Sequence, residues 1–205
     1  MKKGQFITFE GPEGSGKTTH IRLLALFLKK QGHSVVVTRE PGGTPLAHAF
    51  RRLLLDTGDG LLPLAELFLY EADRAQHVLQ TILPALKKGR TVLCDRYTDS
   101  TLAYQGSGRG LNAKEIETLN RIASMNLKPN LTILLDVPVE RGLKQARRKK
   151  NKHDRLERAG LAFHQRVRQG FLRLAKKEHK RFRVVQQQDT IEQTQRMIRE
   201  SLGIR

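Results

Sequence analysis

Eight consecutive residues, Gly11-Pro12-Glu13-Gly14-Ser15-Gly16-Lys17-Thr18, carry the pattern Gly-x-x-x-x-Gly-Lys-Thr between an apolar run, Phe6-Ile7-Thr8-Phe9, and a stretch with helical spacing. Glycines so spaced let a strand-to-helix turn fold tightly enough for successive backbone N–H groups to face one polyphosphate. The start of the following helix adds the positive end of its dipole. Lys17 would meet the β- and γ-phosphates and the Thr18 hydroxyl a Mg²⁺ ion, with the rest of the loop and Thr19 completing the cradle. The chemistry this supports is nucleotide binding.

A second chemical signal stands at Cys94-Asp95-Arg96-Tyr97, the end of an apolar run. Ligands of open α/β sheets bind at the C-terminal edge of the strands, so a carboxylate there, beside a P-loop strand, is suited to organising magnesium. Asp95 could hold the ion directly or through water, and the planar fork of Arg96 could clamp a phosphate. Asp136 also ends an apolar run, but Pro138 follows and the expected role is a turn or cap. Cys94 is the single cysteine, which leaves no intrachain disulfide and no thiolate metal cluster; it reads as a buried core thiol. The seven histidines are scattered and show no metal-ligand spacing. Gly106-Ser107-Gly108-Arg109-Gly110 follows a helical segment instead of a strand, and reads as a flexible connection, not a second nucleotide fingerprint.

These groups need elements to hold them. Short apolar strands at 5–9, 34–38, 91–94, 131–135 and 183–185 alternate with helical segments at 17–30, 45–55, 63–87, 98–104, 113–125, 139–149, 156–177 and 191–202. That alternation favours an α/β fold, a parallel sheet with helices on both faces, and the β-branched strands suit burial on both sides. In the first helix Ile21, Leu24, Ala25 and Leu28 form a core stripe. A chain of 205 residues supports one sizeable core, so a single domain over 1–205 is expected. There is no run of about 18 apolar residues and no signal-type segment before the first strand, which points to a soluble, cytoplasmic protein. The net charge is +18, and 140–183 holds 17 Lys and Arg against 4 Asp and Glu. Such a field speeds the approach of anionic ligands and could equally attract nucleic acid, although solvated helix faces account for more than half of it.

The stretch from Phe9 and Glu10 through the P-loop to Thr19, with Thr38-Arg39-Glu40-Pro41-Gly42-Gly43-Thr44, Asp95-Arg96-Tyr97 and Ser100-Thr101-Leu102-Ala103-Tyr104-Gln105-Gly106, closely resembles the bacterial thymidylate kinases. The match holds in order and spacing through nearly the whole chain. The P-loop alone points only to a superfamily; the Arg-Glu-Pro-Gly-Gly loop with the downstream Tyr-Gln-Gly segment is far more selective. The resemblance implies a P-loop NTPase-type three-layer fold with a five-stranded parallel sheet flanked by helices. It also implies transfer of the γ-phosphoryl group of ATP to dTMP with Mg²⁺, and a homodimer.

Residue roles follow from the same resemblance. Glu13 is similar to the acidic residue near the sugar 3′-hydroxyl. Arg39, Arg51 and Arg96 would gather around the acceptor phosphate, with Glu40 ordering the loop or helping the metal. Tyr70, where the family usually has phenylalanine, would stack on thymine, and Arg74 would hydrogen-bond a base carbonyl. Thr101 and Gln105 would line the base pocket, while Tyr104 would pack near the sugar and disfavour a ribose 2′-hydroxyl. The loop position after Glu13 is Gly14, so the P-loop brings no catalytic arginine. The basic segment 146–157 is similar to the family's arginine-bearing lid, with Arg147, Arg148 and Arg155 the catalytic candidates.

Phosphoryl transfer asks little covalent work of a protein; alignment and charge neutralisation carry the rate. ATP–Mg²⁺ on the P-loop, dTMP opposite, and lid closure to exclude water make up the expected mechanism. The alternative is a nucleic-acid-associated P-loop ATPase, suggested by the basic C-terminal half. Few aromatics, no accessory domain and an unexplained acceptor segment weigh against it, so specific nucleic-acid binding is not expected, nor a membrane partner. Within the enzyme class the rival is a kinase for another nucleoside monophosphate or a small metabolite; Tyr104 and the thymidylate-kinase-like loops argue against it, although dUMP could remain a weaker substrate beside dTMP.

Overall fold

The computed structural model describes residues 4–56, 60–149, 155–156 and 159–204. Five strands, β1 (Phe6–Glu10), β2 (Val35–Arg39), β3 (Thr91–Asp95), β4 (Leu131–Asp136) and β5 (Phe182–Gln186), form one parallel sheet in the order β2-β3-β1-β4-β5. β1 is central and buried along its whole length. Its alternate side chains feed different cores. Ile7 and Phe9 pack with Ile21, Leu24 and Leu28 of α1 (Lys17–Lys30) and Ile198 of α9 (Ile191–Ser201). Phe6, on the other face, joins Val92, Cys94 and Tyr97, and Leu134 of β4 meets Tyr104, Val167 and Phe171, the last two from α8 (Leu161–Lys177). Cys94 is the buried core thiol the sequence suggests.

The first four strands run one residue past their expected ends, to Glu10, Arg39, Asp95 and Asp136. The ladder therefore carries polar residues to the C-terminal edge: Asp95 pairs with Arg39 on one side and Phe9 on the other. Between the strands lie α2 (Ala47–Leu55), α6 (Ala113–Ala123) and α7 (Val139–Lys149).

The helix expected over 63–87 is three joined pieces, α3 (Pro63–His77), a π-helical turn (Val78–Ile82) and α4 (Leu83–Lys87). Pro84 has no N–H to donate and its ring collides with the carbonyl four residues back, so regular α-helix cannot run through it. The wider turn just before it absorbs the mismatch. The helix expected over 98–104 likewise becomes α5 (Thr98–Thr101) and a π-helical segment (Leu102–Gly108), and that expected over 156–177 begins at Leu161.

Gly106 to Gly108 of the glycine-rich stretch are not a flexible connection but the end of the π-helical segment Leu102–Gly108. Gly108 packs beneath α8, where a Cβ would lie 2.6 Å from the Phe163 ring, and a Cβ on Gly170 of α8 would lie 2.5 Å from Ser107 Oγ. The glycines allow close packing of two helical segments.

Asp136 is no turn or cap residue either. It ends β4 buried, accepting from Arg168 Nε at 2.7 Å, Arg168 Nη2 at 2.8 Å and Gln186 Nε2 at 2.9 Å. Burial opposes its ionisation, but these bonds outweigh it and hold the carboxyl below the usual range. The pair pins α8 to the sheet. Asp136→Ala is expected to lower stability by about 2 kcal/mol, because it strands a partly buried arginine. The urea midpoint measures this, and an unchanged midpoint would remove the pinning role.

Candidate active site

The P-loop takes its shape from backbone that only glycine adopts freely. Gly14 has φ +70°, and a Cβ there would lie 1.9 Å from the Gly142 carbonyl oxygen of α7. No side chain caps α1 at Gly16, so the helix N-terminus keeps its N–H groups for an anion. Lys17 folds back over the loop, with Nζ donating to the Gly11 and Pro12 carbonyls at 3.0 Å each and to Ser15 Oγ at 3.3 Å. Burial, with Arg96 nearby, pulls its ammonium down to about 8 against the opposing pull of Glu13 and Asp95. The Thr18 hydroxyl donates to Asp95 Oδ2 at 2.9 Å, joining the start of α1 to the end of β3. Among the described residues no cluster of three or more His, Cys, Asp or Glu could hold a metal; the two residues the sequence offers for Mg²⁺, Thr18 and Asp95, are within hydrogen-bonding distance of each other.

Arg96 is the hub of a second hydrogen-bonded group. It sits at φ +69°, and its fork reaches the Gly11 carbonyl (3.1 Å), Ser100 Oγ (3.2 Å), Glu13 Oε1 (2.7 Å) and the Tyr104 hydroxyl (2.9 Å). Its guanidinium also lies 4.8 Å from the centre of the Tyr104 ring. The Tyr104 hydroxyl donates to the same Glu13 oxygen at 2.8 Å. Burial opposes ionisation of Glu13, yet Arg96, Lys17 and Tyr104 outweigh it and hold the carboxyl at about 2. Glu13 is therefore a fixed negative charge and not a proton carrier near neutral pH.

Behind the loop, Glu10 accepts from the Tyr97 backbone N–H at 2.8 Å and the Ser100 hydroxyl at 2.6 Å. Burial, and then the Asp99 carboxylate, push its carboxyl up to about 8 from an ordinary 4.5. Below the ordinary value both the folded and unfolded chains hold the proton. Between 4.5 and about 8 only the unfolded chain releases it, so stability falls as pH rises through that window, by at most about 1.4 kcal/mol per pH unit. Asp73, pushed up to about 7 by burial and Glu40, adds a slope of the same sign. Glu10→Gln should keep the Asp73 slope and lose its own, which urea unfolding at pH 5.5 and 7.5 would reveal; equal slopes in the two proteins would refute it.

A cavity of about 440 Å³, suited to a nucleotide-sized ligand, opens over these groups. Of the expected site residues, Glu13 to Thr19, Arg39, Glu40, Arg51, Tyr70, Arg74, Asp95, Arg96, Thr101, Tyr104 and Gln105 all line it. Gly11 and Pro12 are not among the lining residues and serve the site through their carbonyls, which accept from Lys17. Arg51 Nη1 donates to the Pro41 carbonyl at 2.9 Å.

Arg74 is more deeply engaged than a base-reading arginine needs to be. It is 1% exposed, and it binds Glu40 Oε2, both Glu71 oxygens and Thr101 Oγ1 at 2.9 Å and Asn120 Oδ1 at 2.6 Å. His77 holds the other Glu40 oxygen at 2.9 Å and Thr38 Oγ1 at 2.6 Å. The loop carrying Arg39 and Glu40 is thus tied to α3 through buried charge, a link that no sequence spacing announces.

The lid arginines divide. Arg147 and Arg148 are exposed on α7, whereas Arg155 is buried and donates to Glu66 of α3, outside the cavity lining. Residues 150–154 and 157 of the expected lid lie outside the described residues. A second cavity, which the sequence reading missed, opens on the far side of the P-loop between Gly16 and Thr19, Arg141 and Arg148 of α7, and 187–191 after β5. The signal that could have found it is the strand-end rule, applied to β5 as it was to β3.

A family model described as Thymidylate kinase matches residues 9–198. The chain is 53% identical over 197 residues to a thymidylate kinase of Geobacter sulfurreducens, covering 93% of this chain and 92% of that one. It is 52% identical over 185 residues to one from Deinococcus radiodurans, covering 90% and 89%. The crystal structure of thymidylate kinase from Ehrlichia chaffeensis superposes with a TM-score of 0.82 at 35% identity, covering 98% of this chain and 99% of that one.

Proposed function

The chain belongs to the thymidylate kinase family and is a kinase, and from that premise we propose that its P-loop cavity passes the γ-phosphoryl group of ATP to dTMP, giving dTDP and ADP. One observation supports the assignment of roles: the loop around Lys17 and the side chains of Tyr70, Thr101 and Gln105 line one cavity, and Arg96, which also lines it, bonds both the loop and Tyr104. An oxygen of the dTMP phosphate attacks the γ-phosphorus, the bond to the β,γ-bridging oxygen breaks, and ADP leaves with that electron pair. The attacking oxygen is already anionic at neutral pH, so no general base is required. The protein's share is alignment and neutralisation of charge.

Lys17 meets the donor phosphates, while Arg96, with Arg39 and Arg51, holds the acceptor phosphate. The Thr18 hydroxyl and Asp95 carboxylate are hard oxygen donors of the kind Mg²⁺ takes, and would hold it. When bound, that ion neutralises phosphate charge. Tyr70 stacks on the base; because a ring face takes any base, selection falls to polar partners and to room for the thymine methyl. The second cavity takes the donor's nucleoside, and Arg147 and Arg148 of α7 bring positive charge toward its phosphates.

Several arginines of the basic stretch are structural, which weakens the nucleic-acid reading. Arg166 donates to the Gly108 carbonyl, Arg173 to Ser107 and Arg181 to Asp99. No described helix is long and apolar enough to cross a membrane, and cytoplasmic residence is part of the proposal. So is a homodimer: Leu53 of α2, Leu64 and Phe68 of α3 and Ile122 of α6 are 47%, 52%, 53% and 63% exposed on helices that pack side by side. Light scattering should give twice the 23.3 kDa chain mass; a monomer would overturn that part.

The function is tested by ADP formation with ATP–Mg²⁺ and each nucleoside monophosphate in turn, adding single- and double-stranded nucleic acid separately. Selective stimulation by dTMP with dTDP as product is expected. Stimulation by nucleic acid without a phosphorylated acceptor would overturn it.

A further inference from the structure

Glu66, in the first turn of α3, has no solvent exposure, although the phosphoryl-transfer chemistry above gives it nothing to do. A buried charge survives only where it is paired and hydrogen-bonded. Its Oε1 accepts from Gln105 Nε2 at 2.6 Å, and its Oε2 accepts from Arg109 Nη2 at 3.2 Å and from Arg155 Nη2. These partners come from two separate parts of the chain, Gln105 and Arg109 from the π-helical segment and its end and Arg155 from far downstream, and Gln105 and Arg155 act on the base end of the cavity.

The first is Gln105. A carboxylate only accepts, so the Gln105 amide must turn its nitrogen to Glu66, which carries its Oε1 to the opposite side. Gln105 lines the cavity beside Thr101 and Tyr70. An acceptor offered there pairs with the ring N–H of a thymine-type base and opposes the ring-nitrogen lone pair of a cytosine-type base. The second is Arg155. Its Nε donates to the Leu54 carbonyl at 3.3 Å and its backbone N–H to the Leu55 carbonyl at 3.2 Å, which sets the next residue, Leu156, in the cavity wall.

We propose that Glu66 is a positioning residue for the acceptor base: it fixes the Gln105 amide so that an acceptor faces the base and, through Arg155, seats Leu156 against the pocket. The proposal rests on the dTMP-kinase reading of the cavity. It makes base discrimination depend on a carboxylate that need not touch the substrate.

The test is steady-state kinetics with dTMP, dCMP and ATP for the wild type, Glu66→Gln and Arg155→Gln. A glutamine at 66 keeps the volume but can donate as well as accept, so the Gln105 amide is free to turn over. Glu66→Gln should raise KM for dTMP about tenfold and lower the dTMP-over-dCMP ratio of kcat/KM about tenfold, with KM for ATP nearly unchanged. Arg155→Gln should raise KM for dTMP while keeping the wild-type base ratio. Should Glu66→Gln not accumulate as folded protein, Glu66→Asp, which keeps the charge but withdraws it by one methylene, decides the same ratio. An unchanged base ratio in the Glu66 variant, or equal rises in KM for ATP and dTMP, would overturn the proposal alone. Wild-type protein inactive on dTMP would defeat the kinase reading and this proposal with it.

Discussion

Lys17→Ala should lower kcat for dTDP formation by about a thousandfold or more at saturating ATP and dTMP, with the largest loss in the chemical step. Lys17 is 7% exposed, and its ammonium bonds go to two loop carbonyls and a hydroxyl. Those neutral partners satisfy its geometry without cancelling its charge, which is why burial and Arg96 can pull it down to about 8. A polyphosphate bound there would supply the missing negative charge. The charge is then worth most where negative charge shifts onto the β,γ-bridging oxygen during transfer, in a site with little water to screen it. Alanine removes both the charge and the strut that holds the loop. Near-normal turnover by the variant would overturn the phosphate-clamp assignment, since no other described lysine lines this cavity.

Arg96→Ala should lower kcat/KM for dTMP by about two to three orders of magnitude while moving KM for ATP far less. The φ of +69° at Arg96 is strained for a side chain of this size, and such strain persists where the surroundings over-determine it. They do so here, through its backbone N–H on the Phe9 carbonyl at 3.0 Å and its fork spread over Gly11, Glu13, Ser100 and Tyr104. The acceptor phosphate would exchange some of these bonds for its own. Truncation also leaves the Glu13 carboxylate without its nearest counter-charge, which would repel the incoming phosphate. Arg96→Lys, a point charge without the fork, should fall between the wild type and alanine. Wild-type kcat/KM for dTMP in Arg96→Ala would remove Arg96 from the acceptor site.

The contiguous sequence determined the P-loop, the parallel α/β sheet and the acidic edge after β3, because each rests on local physics. Glycine at 11, 14 and 16 permits φ that other residues resist, and those three positions have φ of +143°, +70° and +86°. Apolar, β-branched runs alternating with helical stripes leave little choice but a sheet covered on both faces, and all five strands appear where such runs occur. Even Asp95 was legible, since the end of a strand is readable from where its apolar pattern stops.

Tertiary structure alone decided the partners. Thr18 meets Asp95 across 77 positions and Arg155 meets Glu66 across 89, and neither spacing has a period that predicts contact. Arg155 shows the consequence: as sequence it is one more cation of a basic lid, yet the fold turns it inward, because a fully buried carboxylate needs a compensating charge and Arg155 is within reach. Gly108 makes the same point for packing, since a glycine that frees a loop and a glycine that admits a neighbouring helix are identical in sequence. Residue type and local spacing set what the backbone can do; which distant side chains meet is set by how the helices close over the sheet and by the cost of leaving a buried polar group unpaired.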